Sequence, residues 1–144
     1  MKYRHEWKHE ITAFDVLCLR RRLSAVMQPD PHASNGRYLV RSLYFDDLRD
    51  QALQDKLNGV SRREKFRLRC YNGDDSYLVL EKKSRLGGLC AKEQARLTRA
   101  QAEALLQGNP AALQNSPDPL VQELCAKMRT RGLRPKTIVD YTRE

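Results

Sequence analysis

Lys65-Phe66-Arg67-Leu68-Arg69 is the stretch that decides the fold, because cationic and apolar side chains alternate along it. A β-strand sends successive side chains to opposite faces of its sheet. Lys65, Arg67 and Arg69 therefore share one face, while Phe66 and Leu68 share the other and pack into a core. Three neighbouring cations repel one another, so their face must meet either open water or an anion.

The composition of the chain favours the anion. The 144 residues fit a single domain, and 40% of them are hydrophobic, which is enough for a modest core. The chain has 27 basic and 18 acidic residues and a net charge of +9. A basic surplus attracts nucleic acid, phosphate compounds or an acidic membrane surface without choosing among them.

The cysteines and the hydropathy of the chain indicate its compartment. The four cysteines lie far apart and form no CxxC pair, which argues against a disulfide framework or a zinc ribbon. The sequence shows no signal peptide and no long apolar run. We therefore expect a cytoplasmic chain without a transmembrane segment.

Turn and cap signals divide the chain into strands and helices. Thr12 and Thr98 are each followed three residues later by a side chain that completes a capping box. Strands are predicted at 1–11, 38–45, 62–71, 76–84, 89–97 and 136–143. Helices are predicted to begin after Thr12, Asp46, Thr98 and Asp118. The chain ends within its last predicted strand, so we expect strands of a larger domain to be missing.

Charged side chains fall on one face of several predicted strands, as in 65–69. They include Glu6, Lys8, Glu81, Lys83, Lys92 and Arg143. A sandwich would leave these faces as solvated surface, which is one interpretation. A closed or nearly closed barrel would gather them around a channel. Such a channel suits linked phosphates, because Arg offers a planar fork and Lys a mobile charge to phosphate oxygens.

Six segments of the chain together form a specific motif set. They are Tyr3–Glu10, Ser42–Asp46, Arg63–Arg69, Leu80–Lys83, Leu133–Lys136 and Val139–Glu144. This set resembles the VTC domain, the polyphosphate polymerase domain of the vacuolar transporter chaperone type in its bacterial form. That domain belongs to the triphosphate tunnel metalloenzymes. The resemblance covers residues 1–144 as one domain. It implies an α+β fold, an antiparallel β tunnel or barrel of the triphosphate tunnel type with flanking helices, incomplete at the C-terminus.

The resemblance also implies an activity and a set of site residues. Members of the family transfer the terminal phosphoryl group of ATP to a growing polyphosphate chain, with Mn²⁺ or Mg²⁺ as the divalent metal. The positions carried over as catalytic are Lys8, Arg67, Arg69 and Lys83. The phosphate-binding set is Lys8, Lys65, Arg67, Arg69, Lys83, Lys92 and Arg143. Glu6 matches an acidic family position and is the candidate metal ligand.

The resemblance also names the partners. ATP and polyphosphate are the expected partners, and a membrane-protein partner stays open. Further strands of the family domain carry a metal-binding glutamate and a lysine, so we expect residues 1–144 alone to fall short of full activity.

Other functions stay open beside the polymerase. A tunnel-fold hydrolase of triphosphates or a cyclase of ATP would share the fold. A non-catalytic module that binds polyphosphate or RNA would share the charge. Only 7% of the residues are aromatic, so stacking platforms are few and sequence-specific nucleic-acid binding is not expected.

The segment His5-Glu6-Trp7-Lys8-His9 satisfies the HExxH pattern of zinc proteases. That pattern binds zinc only on a helix. On the strand predicted here the two histidines lie about 13 Å apart, too far to bind one ion. We therefore expect residues 4–10 to be extended. Farther along, Tyr44 and Phe45 are expected in the core, and Asp46 as a helix cap.

Overall fold

The computed structural model describes residues 3–30, 33 and 35–144, which form an antiparallel sheet and its accompanying helices. The strands are β1 (Tyr3–Arg4), β2 (Tyr38–Asp46), β3 (Arg62–Tyr71), β4 (Asp74–Leu86), β5 (Leu89–Leu97) and β6 (Arg134–Arg143). The helices are α1 (Ala13–Leu23), α2 (Gln51–Leu57), α3 (Arg99–Leu106), the 3-10 helix Pro110–Leu113 and α4 (Pro119–Arg131). The strand order is β1-β5-β4-β3-β2-β6, so β1 and β6 end a sheet that is not closed within the described ranges.

Two tight turns set the register of the consecutive strands β3, β4 and β5. Asn72 and Gly73 both have positive φ, 52° and 73°, and so do Gly87 and Gly88, at 53° and 90°. Two successive positive φ values make the turn whose twist suits a hairpin. The β3–β4 turn is therefore shorter than the sequence suggested, and β4 begins at Asp74.

Side chains satisfy free amides at the starts of the helices, although α2 begins at Gln51 and not directly after Asp46 as predicted. Capping boxes are present at Thr12 for α1 and at Thr98 for α3. The carboxylate of Asp46 accepts hydrogen bonds from the backbone N–H groups of Ala52 and Leu53, at 2.9 and 3.1 Å. These amides have no partner within the first turn of α2. Asp46 therefore fixes α2 beside the end of β2.

The core lies between one face of the sheet and the helices α3 and α4. Phe66 on β3 and Leu80 on β4 are fully buried there, against Leu105 of α3 and Leu124 of α4. At the edge of this core the ammonium group of Lys82 donates to the Glu123 carboxylate at 2.7 and 2.8 Å, joining α4 to β4. By contrast, α1 buries none of its residues.

The first strand is shorter than predicted. Tyr3 and Arg4 pair with Ala91 and Cys90 of β5. β5 begins at Leu89, directly after its turn, so the chain beyond Arg4 runs past the end of its neighbour. Residues 5–12 consequently have no regular secondary structure, and the HExxH segment is not a helix. His32, predicted in the following loop, lies outside the described residues.

None of the helices in the described part of the chain is both long and apolar enough to cross a membrane.

Candidate functional site

The sheet face opposite α3 and α4 carries the predicted site residues. The register places Arg67 of β3 opposite Glu81 of β4, and Lys65 opposite Lys83. On the next strand, Lys92 lies opposite Lys83. We call this the cationic face and define it by Lys65, Arg67, Arg69, Glu81, Lys83 and Lys92. Alternation along the strands thus places these charges together while their neighbours fill the core.

Glu81 lies at the centre of the cationic face and is 1% exposed. Its Oε2 accepts from Arg67 Nε at 2.7 Å, and its Oε1 accepts from Gln94 Nε2 at 2.9 Å. The Oε1 atom also lies 3.5 Å from Arg69 Nη1 and 3.8 Å from Lys92 Nζ. One carboxylate therefore serves as the counterion for three cations, two from β3 and one from β5.

The pKa of Glu81 reflects this environment. Burial alone raises the pKa of a carboxyl group, but the charges of Arg67 and Arg69 outweigh it and hold the pKa of Glu81 below its ordinary value. Glu81 is therefore ionised at neutral pH, and the two guanidinium groups are held in place by its charge.

Lys65 differs from the other cations of the face because it forms no ion pair in the part of the chain that the structure describes. Its ammonium group lies 5.1 Å from the centre of the Tyr44 ring. Burial lowers the pKa of Lys65, and the nearby charges of Arg67, Lys83 and Lys56 lower it further against the opposing effect of Tyr44. A half-buried cation without a carboxylate is a charge that an anionic ligand would compensate.

A cleft of about 370 Å³ opens beside Lys65 and is called here the lysine cleft. Lys65, Lys83, Lys8, Lys56 and Arg85 contribute cations to its lining. The Lys83 ammonium group binds both oxygens of Glu6, at 2.5 and 2.7 Å. Chiefly because of this hydrogen bond, the pKa of Glu6 is lowered. Cations dominate the cleft, which gives it the charge expected of an anion site.

The structure brings most of the predicted residues together, but Lys8 and Arg143 lie at the border of the site. Lys8 lines the lysine cleft, yet its side chain is 84% exposed and 4.0 Å from Glu6. Arg143, on β6, lies 3.5 Å from the hydroxyl of Tyr38 and 3.4 Å from that of Tyr141. These two residues border the cationic face, and Glu81 does not bind either of them.

Two buried polar atoms, one in the cationic face and one beside it, lack a partner among the described residues. Arg69 Nε and Ser42 Oγ are buried and accept or donate no hydrogen bond within the described residues. Ser42 lies directly opposite Arg69 in the sheet. Buried polar atoms are ordinarily paired, and exceptions concentrate where a structure has a role to perform.

The residues that the structure describes contain no group of three His, Cys, Asp or Glu side chains placed to hold an ion. The cations of the face bind both oxygens of Glu81, and Lys83 binds both oxygens of Glu6, the predicted metal ligand. A metal ion at either carboxylate would therefore compete with these cations.

Sequence reasoning missed three features of the site. It took Glu81 only as a neighbour of Lys83, whereas Glu81 is the central counterion. It placed Tyr44 in the core, but the Tyr44 hydroxyl accepts from Arg67 Nη1 at 3.1 Å on the cationic face. Phe45, 2% exposed, is in the core as predicted. The sequence reasoning also did not consider Lys56, which α2 brings to the lysine cleft. Alternation could have found the first two, since Glu81 and Tyr44 face Arg67 across the sheet.

Comparison with known proteins identifies the family. The sequence model of the VTC domain matches residues 3–144, so the chain belongs to the VTC domain family. No curated protein shows significant similarity to the chain. Among solved structures, a protein of Bacillus halodurans described as a candidate adenylate cyclase is similar with a TM-score of 0.55 and 16% identity, over 99% of this chain and 67% of that chain.

At this identity the likeness concerns the fold alone. With the family match it confirms the predicted fold class, an antiparallel β tunnel type with flanking helices, whose sheet is open here.

Proposed function

We propose that the cationic face binds a chain of linked phosphates and that the intact domain transfers the terminal phosphoryl group of ATP to polyphosphate. One observation carries the proposal: cations from the two strands that flank β4 converge on its single buried carboxylate, Glu81, next to a cleft with an unpaired lysine. Arg69 is only 5% exposed, which is not expected of an arginine on a solvated surface.

The chemistry of phosphoryl transfer suits such a site. The reaction needs alignment and charge stabilisation more than covalent participation by the protein. In this proposal Arg67 and Arg69 grip phosphate oxygens, and Lys65 and Lys83 neutralise charge farther along the chain. Glu81 positions the guanidinium groups through its hydrogen bonds.

A divalent metal is a prediction from family membership. In nucleotide enzymes Mg²⁺ is commonly bound by substrate phosphates and only one or two carboxylates. Because Glu6 and Glu81 are both bound by cations, we expect any Mn²⁺ or Mg²⁺ to arrive with the nucleotide. When bound, the metal would supply charge neutralisation at phosphate oxygens.

A second candidate function is supported by the structural neighbour, which is described as a candidate adenylate cyclase. A cyclase or a triphosphate hydrolase could use the same grip on the triphosphate. The acceptor alone would differ: the ribose hydroxyl in a cyclase, water in a hydrolase, and a phosphate chain in a polymerase.

The products separate these functions in one experiment. The protein with its intact domain is incubated with ATP and Mn²⁺, and the products are resolved on a gel and by nucleotide chromatography. A ladder of phosphate chains with release of ADP is the expected result. Orthophosphate without a ladder would indicate a hydrolase, and a cyclic nucleotide would indicate a cyclase. Retention of polyphosphate without any use of ATP would indicate a binding module, and each of these three results overturns the proposal.

A further inference from the structure

A second hollow, of about 550 Å³, lies at the end of the cationic face away from the lysine cleft. Its lining includes Tyr38, Tyr71, Tyr77, Asn72 and Asp74, and it is called here the tyrosine pocket. The volume is in the range of small-molecule sites, which usually combine aromatic walls with a few polar groups. Nothing in the phosphate chemistry requires aromatic side chains, so this pocket needs a separate explanation.

The three tyrosines form a continuous aromatic wall. The ring centres of Tyr38 and Tyr71 are 5.9 Å apart, and those of Tyr71 and Tyr77 are 6.2 Å apart. The guanidinium carbon of Arg96 lies 5.0 Å from the centre of the Tyr77 ring. Tyr77 is 47% exposed, so part of the wall is open to a ligand. Aromatic rings and guanidinium planes are the surfaces on which nucleic-acid bases stack.

The tyrosine pocket directly adjoins the arginine pair. Arg69 Nη1 lies 3.5 Å from the Tyr71 hydroxyl, and the Arg69 guanidinium carbon is 5.9 Å from the Tyr71 ring centre. Residues two apart on a strand are separated by about 7 Å. A nucleoside attached to a phosphate at Arg69 therefore reaches Tyr71 and Tyr77 without any change in the sheet.

The charges at the two ends of the cationic face differ. Lysine side chains dominate the lysine cleft, whereas Asp30 and Asp74 line the tyrosine pocket. Carboxylates repel a phosphate chain but can accept hydrogen bonds from the amino group of a base or from ribose hydroxyls. Arg143 approaches the Tyr38 hydroxyl and Arg96 the Tyr77 ring, so carboxylates and cations are mixed at this end, whereas cations prevail in the lysine cleft.

We propose that the tyrosine pocket holds the base and ribose of the donor nucleotide, with its phosphates running from Arg69 towards the lysine cleft. This assignment rests on the proposed function and adds the direction in which the nucleotide lies. The acceptor phosphate chain then occupies the lysine cleft, where Lys65 and Lys83 face it.

Calorimetric titration of the chain with ATP and with inorganic tripolyphosphate tests the assignment. Tyr77→Ala removes the open ring, and we expect it to weaken ATP binding roughly tenfold, within the range measured for loss of a base stack. Binding of tripolyphosphate should change less than about twofold, since it has no base to stack. Tyr77→Phe, which keeps the ring, should bind both ligands like the unaltered chain. Tyr3→Ala is the matched control, because Tyr3 is 44% exposed and lies on another strand, outside the pocket lining.

The outcomes separate this inference from the proposed function. If Tyr77→Ala weakens both ligands equally, or neither, the nucleoside does not occupy the tyrosine pocket. If the unaltered chain binds tripolyphosphate in such a series, phosphate recognition still stands. If it binds neither tripolyphosphate nor ATP, both the inference and the proposed function are overturned. Urea unfolding of each variant shows whether a lost affinity reflects a lost fold.

Discussion

Arg67 and Glu81 face each other across β3 and β4, with Arg67 Nη2 2.6 Å from Glu81 Oε2. Both side chains are largely buried, at 15% and 1% exposed. Removing one partner of a buried ion pair leaves a charge without compensation and is much more destabilising than the pair is stabilising. The pair therefore adds little net stability. Its role is that the charge of Glu81 allows the arginines of the cationic face to stay buried.

The first prediction concerns the loss of this counterion. We expect Glu81→Gln to lower the free energy of unfolding by about 3 kcal/mol, because two guanidinium groups lose their compensating charge. Tripolyphosphate should restore more stability to this variant than to the unaltered chain, since it replaces the missing negative charge. Urea unfolding with and without tripolyphosphate measures both effects.

A matched control is Asp140→Asn, which removes the carboxylate bound by Arg41 on an exposed part of the sheet. Solvent screens an exposed ion pair and leaves it little effect on stability, so the control should remain close to the unaltered chain. Equal stabilities of Glu81→Gln and Asp140→Asn would contradict the role assigned to Glu81.

The second prediction concerns the two arginines. Arg67→Ala and Arg69→Ala should each weaken tripolyphosphate binding about 10- to 150-fold, the equivalent of one charge-assisted contact of roughly 1.5–3 kcal/mol. Both should also cripple polymer synthesis by the intact domain. Arg41→Ala changes the net charge equally but leaves the cationic face intact, so its affinity should change little. If all three variants lose the same affinity, net charge and not a specific site is responsible.

The third prediction follows from the lowered pKa of Lys65. Below its folded-state pKa, Lys65 is charged in both states, and its burial destabilises the fold. As pH rises from that pKa towards the ordinary value of 10.5, unfolding takes up a proton and this penalty disappears. Lys65→Met should therefore be more stable than the unaltered chain at neutral pH, and the difference should shrink at about pH 10.

The same variant should bind tripolyphosphate more weakly, because it lacks the unpaired cation. Urea unfolding at the two pH values and calorimetric titration at neutral pH provide the measurements. A variant that is less stable at neutral pH, or one that keeps the full affinity, would show that Lys65 is a structural residue and not a phosphate ligand.

The fourth prediction concerns metals. Because the described residues form no cluster that could hold an ion, EDTA should leave the melting temperature of the ligand-free chain unchanged. Adding Mg²⁺ should alter the melting temperature only when tripolyphosphate or ATP is present. Differential scanning fluorimetry over this set of conditions checks both statements. A melting temperature that falls with EDTA alone would reveal a resident metal.

Local signals predicted most of the fold. β3 and β5 have their predicted bounds, since glycine turns and alternating side chains define them at both ends. The capping boxes at Thr12 and Thr98 mark helix starts through hydrogen bonds that span only three residues. The predicted length of β1 was wrong because it depends on where β5 begins, which is a property of the neighbouring strand and not of residues 1–11 themselves.

The candidate site was predicted only in part, because some of its features depend on neighbouring elements and not on one strand alone. Alternation places Lys65, Arg67 and Arg69 on one face, and it holds within a single strand. The role of Glu81 depends on which residue of β4 lies opposite Arg67, and the turn at Asn72 and Gly73 fixes that register. The position of Lys56 could not be predicted, because the placement of α2 depends on tertiary contacts such as that of Asp46 with its first turn.

The position of Glu81 has a consequence for selectivity. Any anion that binds the cationic face competes with the carboxylate of Glu81, which the polypeptide chain always holds in place. A chloride or a single orthophosphate brings too little charge to displace it from several cations at once. A longer chain of linked phosphates can bind Arg67, Arg69 and Lys83 together. Occupancy of the site should therefore rise steeply with the charge of the ligand. Small anions should bind only weakly, even where they are abundant.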